Sequence, residues 1–117
     1  MDIEQFREFC LTLKGTSEGF PFGEETLVFY VAGKMFALTD VTSFESVNLK
    51  CDPGEAIELR ERYPAIIPGY HMNKKHWNTI INDGSISNSM MKKLIQDSYD
   101  LVFAKLPKKT RESIGDK

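Results

Sequence analysis

The chain has few cysteines and no long apolar run, and both absences limit what it can be. Cys10 and Cys51 are the only cysteines in 117 residues and form no CxxC pair, so two buried thiols in a reducing compartment are favoured over a disulfide. No apolar run approaches the roughly 18–20 residues that span a bilayer, and the acidic N-terminus lacks a hydrophobic signal core. The sequence therefore predicts a cytoplasmic protein with no membrane partner.

Catalytic and metal-binding motifs are also missing. There is no GxSxG, and the segment 15–19 lacks the Walker lysine and a preceding strand. His71 and His76 are five residues apart, so on one straight strand they would point to opposite faces, and a third ligand would still be needed. We therefore expect no metal, no cofactor and no enzyme activity. General acid–base catalysis by His71 with a carboxylate remains an alternative.

The net charge of −2 conceals a difference between the two halves of the chain. Residues 1–63 contain six Lys or Arg against twelve Asp or Glu, whereas residues 64–117 contain nine against five. If the second half presents one surface, that surface can attract polyanions although the whole chain is mildly acidic. The alternative is two solvated faces that happen to differ in sign.

Hydrophobic periodicity in the first half predicts one helix followed by three antiparallel strands. Apolar residues at three-and-four spacing predict a helix over 2–14, ended by Gly15. The Gly- and Phe-rich segment 17–23 is interpreted as a loop that plugs the edge of the core, or as a ligand-binding lip. Strands are predicted over 26–31, 34–39 and 46–51, with Cys51 among the buried positions of the last. Both thiols are therefore expected to be inert.

The second half predicts two further strands between two helices. Asp52 and Pro53 open a helix that ends near Tyr63. Strands over 66–72 and 76–82 follow, joined by a tip at 73–75, and then a helix capped by Ser85 or Ser87 and ended by Pro107. The order α-β-β-β-α-β-β-α predicts a two-layer α+β domain with a five-stranded antiparallel sheet over 1–111, followed by a basic tail that frays over 112–117.

The segment 67–77 concentrates both histidines, the single tryptophan and a Lys-Lys pair. Polyanion binding suits this composition best, because a basic hairpin tip can approach a phosphate backbone while asparagines hydrogen-bond phosphates or base edges. The candidate nucleic-acid contacts are His71, Asn73, Lys74, Lys75, His76, Asn78, Lys92, Lys93, Lys105, Lys108, Lys109 and Arg111. Tyr70 and Trp77 are expected to anchor the hairpin, and Ser98 to allow a close approach of the last helix to the sheet.

The sequence PGYHMNKKHWNT at 68–79 resembles the signature of the MmcQ/YjbR family of small bacterial proteins. FPFG at 20–23, GKMFA at 33–37, LKCDP at 49–53 and DSYDLV at 97–102 resemble that family as well. The resemblance implies a CyaY-like, secretion-chaperone-like fold and DNA binding through a double wing, and it supplies no catalytic residues. The acidic first half departs from a typical nucleic-acid binder.

Two other hypotheses assign these segments a different role. A protein-binding adaptor would meet its partner with one face of the sheet or with the Phe20–Phe22 loop. Alternatively, the 68–79 segment is mainly a folding motif in which Tyr70, His71 and Trp77 lock the hairpin to the helices.

Overall fold

The computed structural model describes residues 1–69 and 72–115 and shows an α+β domain in the order α-β-β-β-β-α-β-β-α-α. The elements are α1 Ile3–Thr12, β1 Thr16–Gly19, β2 Thr26–Val31, β3 Lys34–Asp40, β4 Ser46–Lys50, α2 Pro53–Arg62, β5 Ile66–Pro68, β6 Trp77–Ile81, α3 Asn88–Ala104 and α4 Lys108–Ile114. None of the described helices has the length and apolar character that a bilayer crossing requires.

The described strands form one antiparallel sheet in the order β1-β2-β3-β4-β6-β5. The α+β prediction is therefore confirmed, but the sheet has six strands in the described chain instead of five. The additional strand is β1, which lies in the segment that we predicted as a loop. Its small polar residues have little intrinsic strand preference, and it is held by pairing from Thr16 with Val31 to Gly19 with Val28.

The two faces of the sheet carry different clusters. Helices α1, α2 and α3 pack on one face around Phe6, Phe29, Phe36 and Tyr99. A smaller cluster of Val28, Leu38 and Trp77 covers the other face, which we call the open face because no described helix packs on it. Alternate residues of a strand point to opposite faces, so β2 and β3 contribute to both clusters.

Ser98 is where α3 comes closest to the sheet. Its side chain is fully buried, and its Oγ donates to the backbone carbonyl of Phe36 while accepting the backbone N–H of Lys50 at 2.8 Å. Phe36 is the extra residue of a β-bulge, since Phe29 pairs with Ala37 and Tyr30 with Met35. The serine therefore bonds two backbone groups at the point where the regular ladder is interrupted.

The C-terminal segment is a helix rather than a frayed tail. Residues Lys108–Ile114 form α4, and Gly115 ends it with a positive φ of 101°, which suits a glycine after a helix. Ile114 packs against the main core, and the Arg111 Nε donates to the Leu106 carbonyl at 3.2 Å. The predicted fraying is thus wrong for residues 112–115, because one apolar side chain anchors the last turn. Residues 116–117 lie outside the described part.

Candidate nucleic-acid interface

Residues 73–77 form a compact turn that displays two lysines. The Asn73 carbonyl accepts the backbone N–H of His76 at 3.2 Å and that of Trp77 at 2.9 Å. The Asn73 side-chain oxygen accepts the N–H of Lys75 at 3.0 Å. Lys74 and Lys75 are exposed, as the sequence predicted for the tip, whereas Asn73 has a side-chain acceptor committed to the turn.

Arg60 of α2, which the sequence did not single out, fastens this turn to the helix layer. Its Nε donates to the Asn78 Oδ1 at 2.7 Å, and its Nη2 donates to the Lys74 carbonyl and, at 3.3 Å, to the Trp77 carbonyl. Asn78 is only 2% exposed, so it does not reach a nucleic acid at the surface. Asn78 is a structural acceptor, and its place among the predicted contacts is corrected.

Met72, which precedes the turn, lies on the open face of the sheet. Strand β5 ends at Pro68, earlier than predicted, and Met72 packs against the open-face cluster of Val28, Leu38 and Trp77. Trp77 is 7% exposed, consistent with an anchoring role. The residues on either side of the turn, Met72 and Trp77, are therefore packed on the sheet, and Lys74 and Lys75 between them are exposed. Tyr70 and His71, a predicted anchor and a predicted contact, lie outside the described residues.

Gly69 permits the closest approach in this connection. Its N–H donates to the Trp77 carbonyl at 2.8 Å, and an added Cβ would lie 2.7 Å from the Trp77 Cβ and 2.9 Å from that carbonyl oxygen. Because backbone cannot move aside as a flexible side chain can, we expect Gly69→Ala to lower the free energy of unfolding by about 1–3 kcal/mol. Urea unfolding measures this change.

Gly19 provides the matched control for that substitution. An added Cβ there meets only the Tyr30 ring, at 3.7 Å, which is an ordinary contact distance. Gly19→Ala should leave the unfolding midpoint nearly unchanged. If the two variants lost the same free energy of unfolding, the role assigned to Gly69 would be contradicted.

The strand register gathers lysines from distant parts of the sequence at one end of the sheet. Thr16 pairs with Val31, Val31 with Lys34, and Lys50 with Trp77. The end of the sheet defined by these pairs, which we call the basic end, carries Lys14, Lys34, Lys50, Lys74 and Lys75. From β1 to β6 this row crosses four strand spacings, or roughly 19 Å.

The last two described helices add positive charge to the basic end. Lys105 follows Ser98 by seven residues, about two helical turns, so it lies on the same side of α3, beyond the ends of the strands. Burial lowers the pKa of Lys50, and the nearby charges of Lys105 and Lys34 lower it further. Helix α4 then returns to the start of β1, where Ile114 lies beside Gly15, and this path brings Lys108 and Lys109 to the same end.

Few carboxylates neutralise the basic end. Among the described residues, Lys14, Lys34, Lys50, Lys74, Lys75 and Lys105 form no ion pair, and Lys108 is 3.9 Å from Glu112. The carboxylates of Asp52, Glu55 and Asp97 lie near Cys51, beside Lys50. Asp52 accepts the backbone N–H groups of Gly54 and Glu55 as the cap of α2, and Asp97 pairs with Lys93. The lysines are therefore available to an external anion.

Lys92 and Lys93 are placed elsewhere, in the first half of α3. The Lys92 ammonium lies over the Phe9 ring, 5.8 Å from its centroid. The Lys93 Nζ is 2.7 Å from the Asp97 carboxylate. Lys92 therefore packs against α1, while Lys93 is occupied by its pairing with Asp97, and the nearby Glu55 and Cys51 raise its pKa as well.

Comparison with known proteins places the chain among relatives of the same size. The family model described as YjbR matches residues 11–101. The chain belongs to the YjbR family. The YbdF protein of Escherichia coli O157:H7 is 37% identical, over 95% of this chain and 92% of the relative. The YjbR protein of Escherichia coli strain K12 is 28% identical, over 96% of each chain. The family predicted from the 68–79 segment is confirmed.

Solved structures support the fold of this YjbR-family protein. The crystal structure of Deinococcus radiodurans protein DR2400 superposes with a TM-score of 0.90 and 40% identity, covering 97% of this chain and 88% of that one. A crystal structure of a Pseudomonas syringae protein superposes with a TM-score of 0.74 and 28% identity, covering 86% and 98% respectively.

The end of the sheet opposite the basic end is acidic in this YjbR-family protein. Thr26 pairs with Asp40, and Ser46 with Ile81, so the loops at that end contain Glu24, Glu25, Asp40, Glu45 and Asp83. Charge therefore differs between the two ends of the strands, and each end draws on both halves of the sequence. An approaching polyanion is attracted to one end and repelled from the other.

Neither cysteine of this YjbR-family protein resembles a catalytic nucleophile. Cys10 is buried, and burial raises the pKa of its thiol well above the ordinary value. Cys51 lies just beyond β4 and is only partly buried, not on a fully buried strand position as predicted. Burial and the nearby Glu55 carboxylate raise its pKa to about 11, so its thiol stays protonated at neutral pH. Within residues 1–69 and 72–115, no group of three His, Cys, Asp or Glu could hold a metal ion.

Proposed function

We propose that this protein is a binding protein without catalytic activity that attaches to DNA through the phosphate backbone, using its basic end. The observation that supports the proposal is the convergence of lysines from five separate segments on one end of the sheet, where, among the described residues, Lys108 alone forms an ion pair, with Glu112. Lysine contacts to phosphates release counterions and carry no sequence information. The proposal is therefore for salt-sensitive binding with little sequence preference.

The geometry suits contact along a duplex. The row from Lys14 through Lys34 and Lys50 to Lys74 is roughly 19 Å long, and phosphates succeed one another every 3.4 Å along the axis of a DNA strand. Several phosphates can thus face several lysines together. Because the opposite end is acidic, the protein would bind DNA in one orientation.

Fluorescence anisotropy of a labelled duplex, at about 50 and 200 mM salt, tests the proposal. Lys74→Ala with Lys75→Ala, and separately Lys34→Ala with Lys105→Ala, should each weaken binding about tenfold at low salt and reduce the salt slope by about two. Lys92→Ala with Lys93→Ala is the matched control, because Lys92 lies over the Phe9 ring and Lys93 is paired with Asp97, and it should leave affinity almost unchanged.

Three results would refute the proposal. They are the absence of DNA binding at low salt, a DNA affinity that does not depend on salt, and a loss of affinity in the Lys92 and Lys93 control equal to that of the basic-end variants. Misfolding does not confound these outcomes, since every substituted lysine is exposed.

A further inference from the structure

Two phenylalanines that the DNA proposal does not use are exposed at the acidic end. Phe20 is 49% exposed and Phe22 is 63% exposed, although large aromatic side chains are usually buried. Both lie in the loop between β1 and β2, which we predicted to plug the core or to form a ligand-binding lip. Because they do not plug the core, the structure favours a surface role for the loop.

Phe22 forms one wall of a groove over the open face. The groove has a volume of about 600 Å³, within the range of ligand-binding clefts, and Met72 lines it as well. Leu38 of β3 and Asn48 of β4 contribute to its lining, so strand residues provide the floor. Apolar side chains and strand polar groups together suit a short stretch of polypeptide.

The charge around the groove is negative. Asp40 and Glu45 line it, and Glu24 and Glu25 follow Phe22 in the same loop. No Lys or Arg occurs between residues 14 and 34 or between residues 34 and 50. Backbone N–H groups, that of Ser43 above all, lower the pKa of Asp40, so its carboxylate is ionised at neutral pH. A cation reaching the groove meets no competing positive side chain from these segments.

We propose that the groove is a docking site for a short segment of a partner protein in which an apolar side chain lies next to Arg or Lys. The apolar side chain would pack between Phe22 and Met72. The neighbouring cation would meet Asp40 and Glu45 and could stack on the Phe22 ring. The groove extends from Phe22 at the acidic end to Met72, two residues before Lys74, and the carboxylates of Asp40 and Glu45 that would meet the cation lie at the acidic end.

The test uses a fluorescein-labelled peptide of about nine residues with a central Leu flanked by Arg, and a second peptide with Glu in place of Arg. The first should bind and the second should not. Phe22→Ser should weaken binding by about tenfold or more, while Ile57→Ser, the same kind of change at a 55% exposed position of α2, should have no effect. Glu45→Gln should weaken binding about threefold relative to Glu61→Gln.

Methyl labelling of methionine locates the peptide independently of affinity. The chain has five methionines; the Met72 methyl signal should shift on titration, whereas Met90 and Met91 on α3 should not. Equal weakening by Phe22→Ser and Ile57→Ser, or shifts at Met90 instead of Met72, would overturn the assignment. Concentration-dependent self-association that Phe22→Ser abolishes would identify a second copy of the chain as the occupant. Duplex DNA that displaces the labelled peptide and is itself bound more weakly by Phe22→Ser would identify nucleic acid as the occupant of the groove, and either result rejects the peptide site.

Discussion

Ser98→Val is expected to lower the free energy of unfolding by roughly 3–5 kcal/mol. Valine cannot hydrogen-bond, so the Phe36 carbonyl loses its donor and the Lys50 N–H loses its acceptor, in a fully buried position. Each unsatisfied buried group costs about 1–3 kcal/mol, and the additional methyl group has to be fitted between α3 and the sheet. Since Phe36 is the bulged residue, the β-ladder offers no replacement bond.

Thermal and urea unfolding of Ser98→Val, Ser98→Ala and Ser89→Val separate these contributions. Ser98→Ala removes both hydrogen bonds without overpacking and should be the milder of the two core variants. Ser89 is exposed near the start of the same helix, and its substitution should change stability by about 0.5 kcal/mol or less. If Ser98→Val unfolded at the same urea concentration as Ser89→Val, the serine would have no structural role.

The elements that follow a regular pattern could be predicted from the sequence. The apolar spacing predicted α1 and α3, alternation predicted β4, and Asp52 with Pro53 marked the start of α2. These signals are local, because the period of the element and the chemistry of its ends appear within a few residues. The boundaries of α1, β4 and β6 differed by one or two residues, whereas β5 ends at Pro68 instead of at residue 72.

Elements held by distant contacts could not be predicted in this way. Strand β1 exists because β2 provides hydrogen-bonding partners, and α4 is held by Ile114 against the core. Neither segment has an amphipathic pattern long enough to identify it. Arg60 is a similar case, since its acceptors lie 14 to 18 residues further along the chain.

The candidate interface was predicted only in part, for a reason that concerns topology. Lys74 and Lys75 are adjacent in sequence and were evident, whereas Lys34 and Lys50 are separated by β3 and β4 and become neighbours only in the antiparallel register. In an antiparallel meander, alternate turns lie at the same end of the sheet, and this rule would have placed Lys34 and Lys50 together. Positive and negative side chains are therefore separated between the two ends of the strands and not between the two halves of the sequence.

Arg60→Ala is expected to cost about 2–4 kcal/mol and to loosen the turn that displays Lys74 and Lys75. The substitution leaves the buried Asn78 Oδ1 without its donor and removes the bonds to the Lys74 and Trp77 carbonyls. Arg60→Lys should recover less than half of the loss, because one ammonium group cannot reproduce the planar fork that reaches three acceptors.

Arg62 provides the control that separates structure from charge. It is exposed in the last turn of the same helix, so Arg62→Ala removes the same positive charge while leaving the turn intact. Urea unfolding should show a large loss of stability for Arg60→Ala and almost none for Arg62→Ala.

Under conditions in which both variants are folded, duplex DNA should bind Arg60→Ala more weakly than Arg62→Ala, since only the former releases the turn that holds the two lysines in line with Lys50. Equal DNA affinity of the two folded variants would show that the position of this turn does not matter for binding, and equal stability would show that the Arg60 bonds do not hold it.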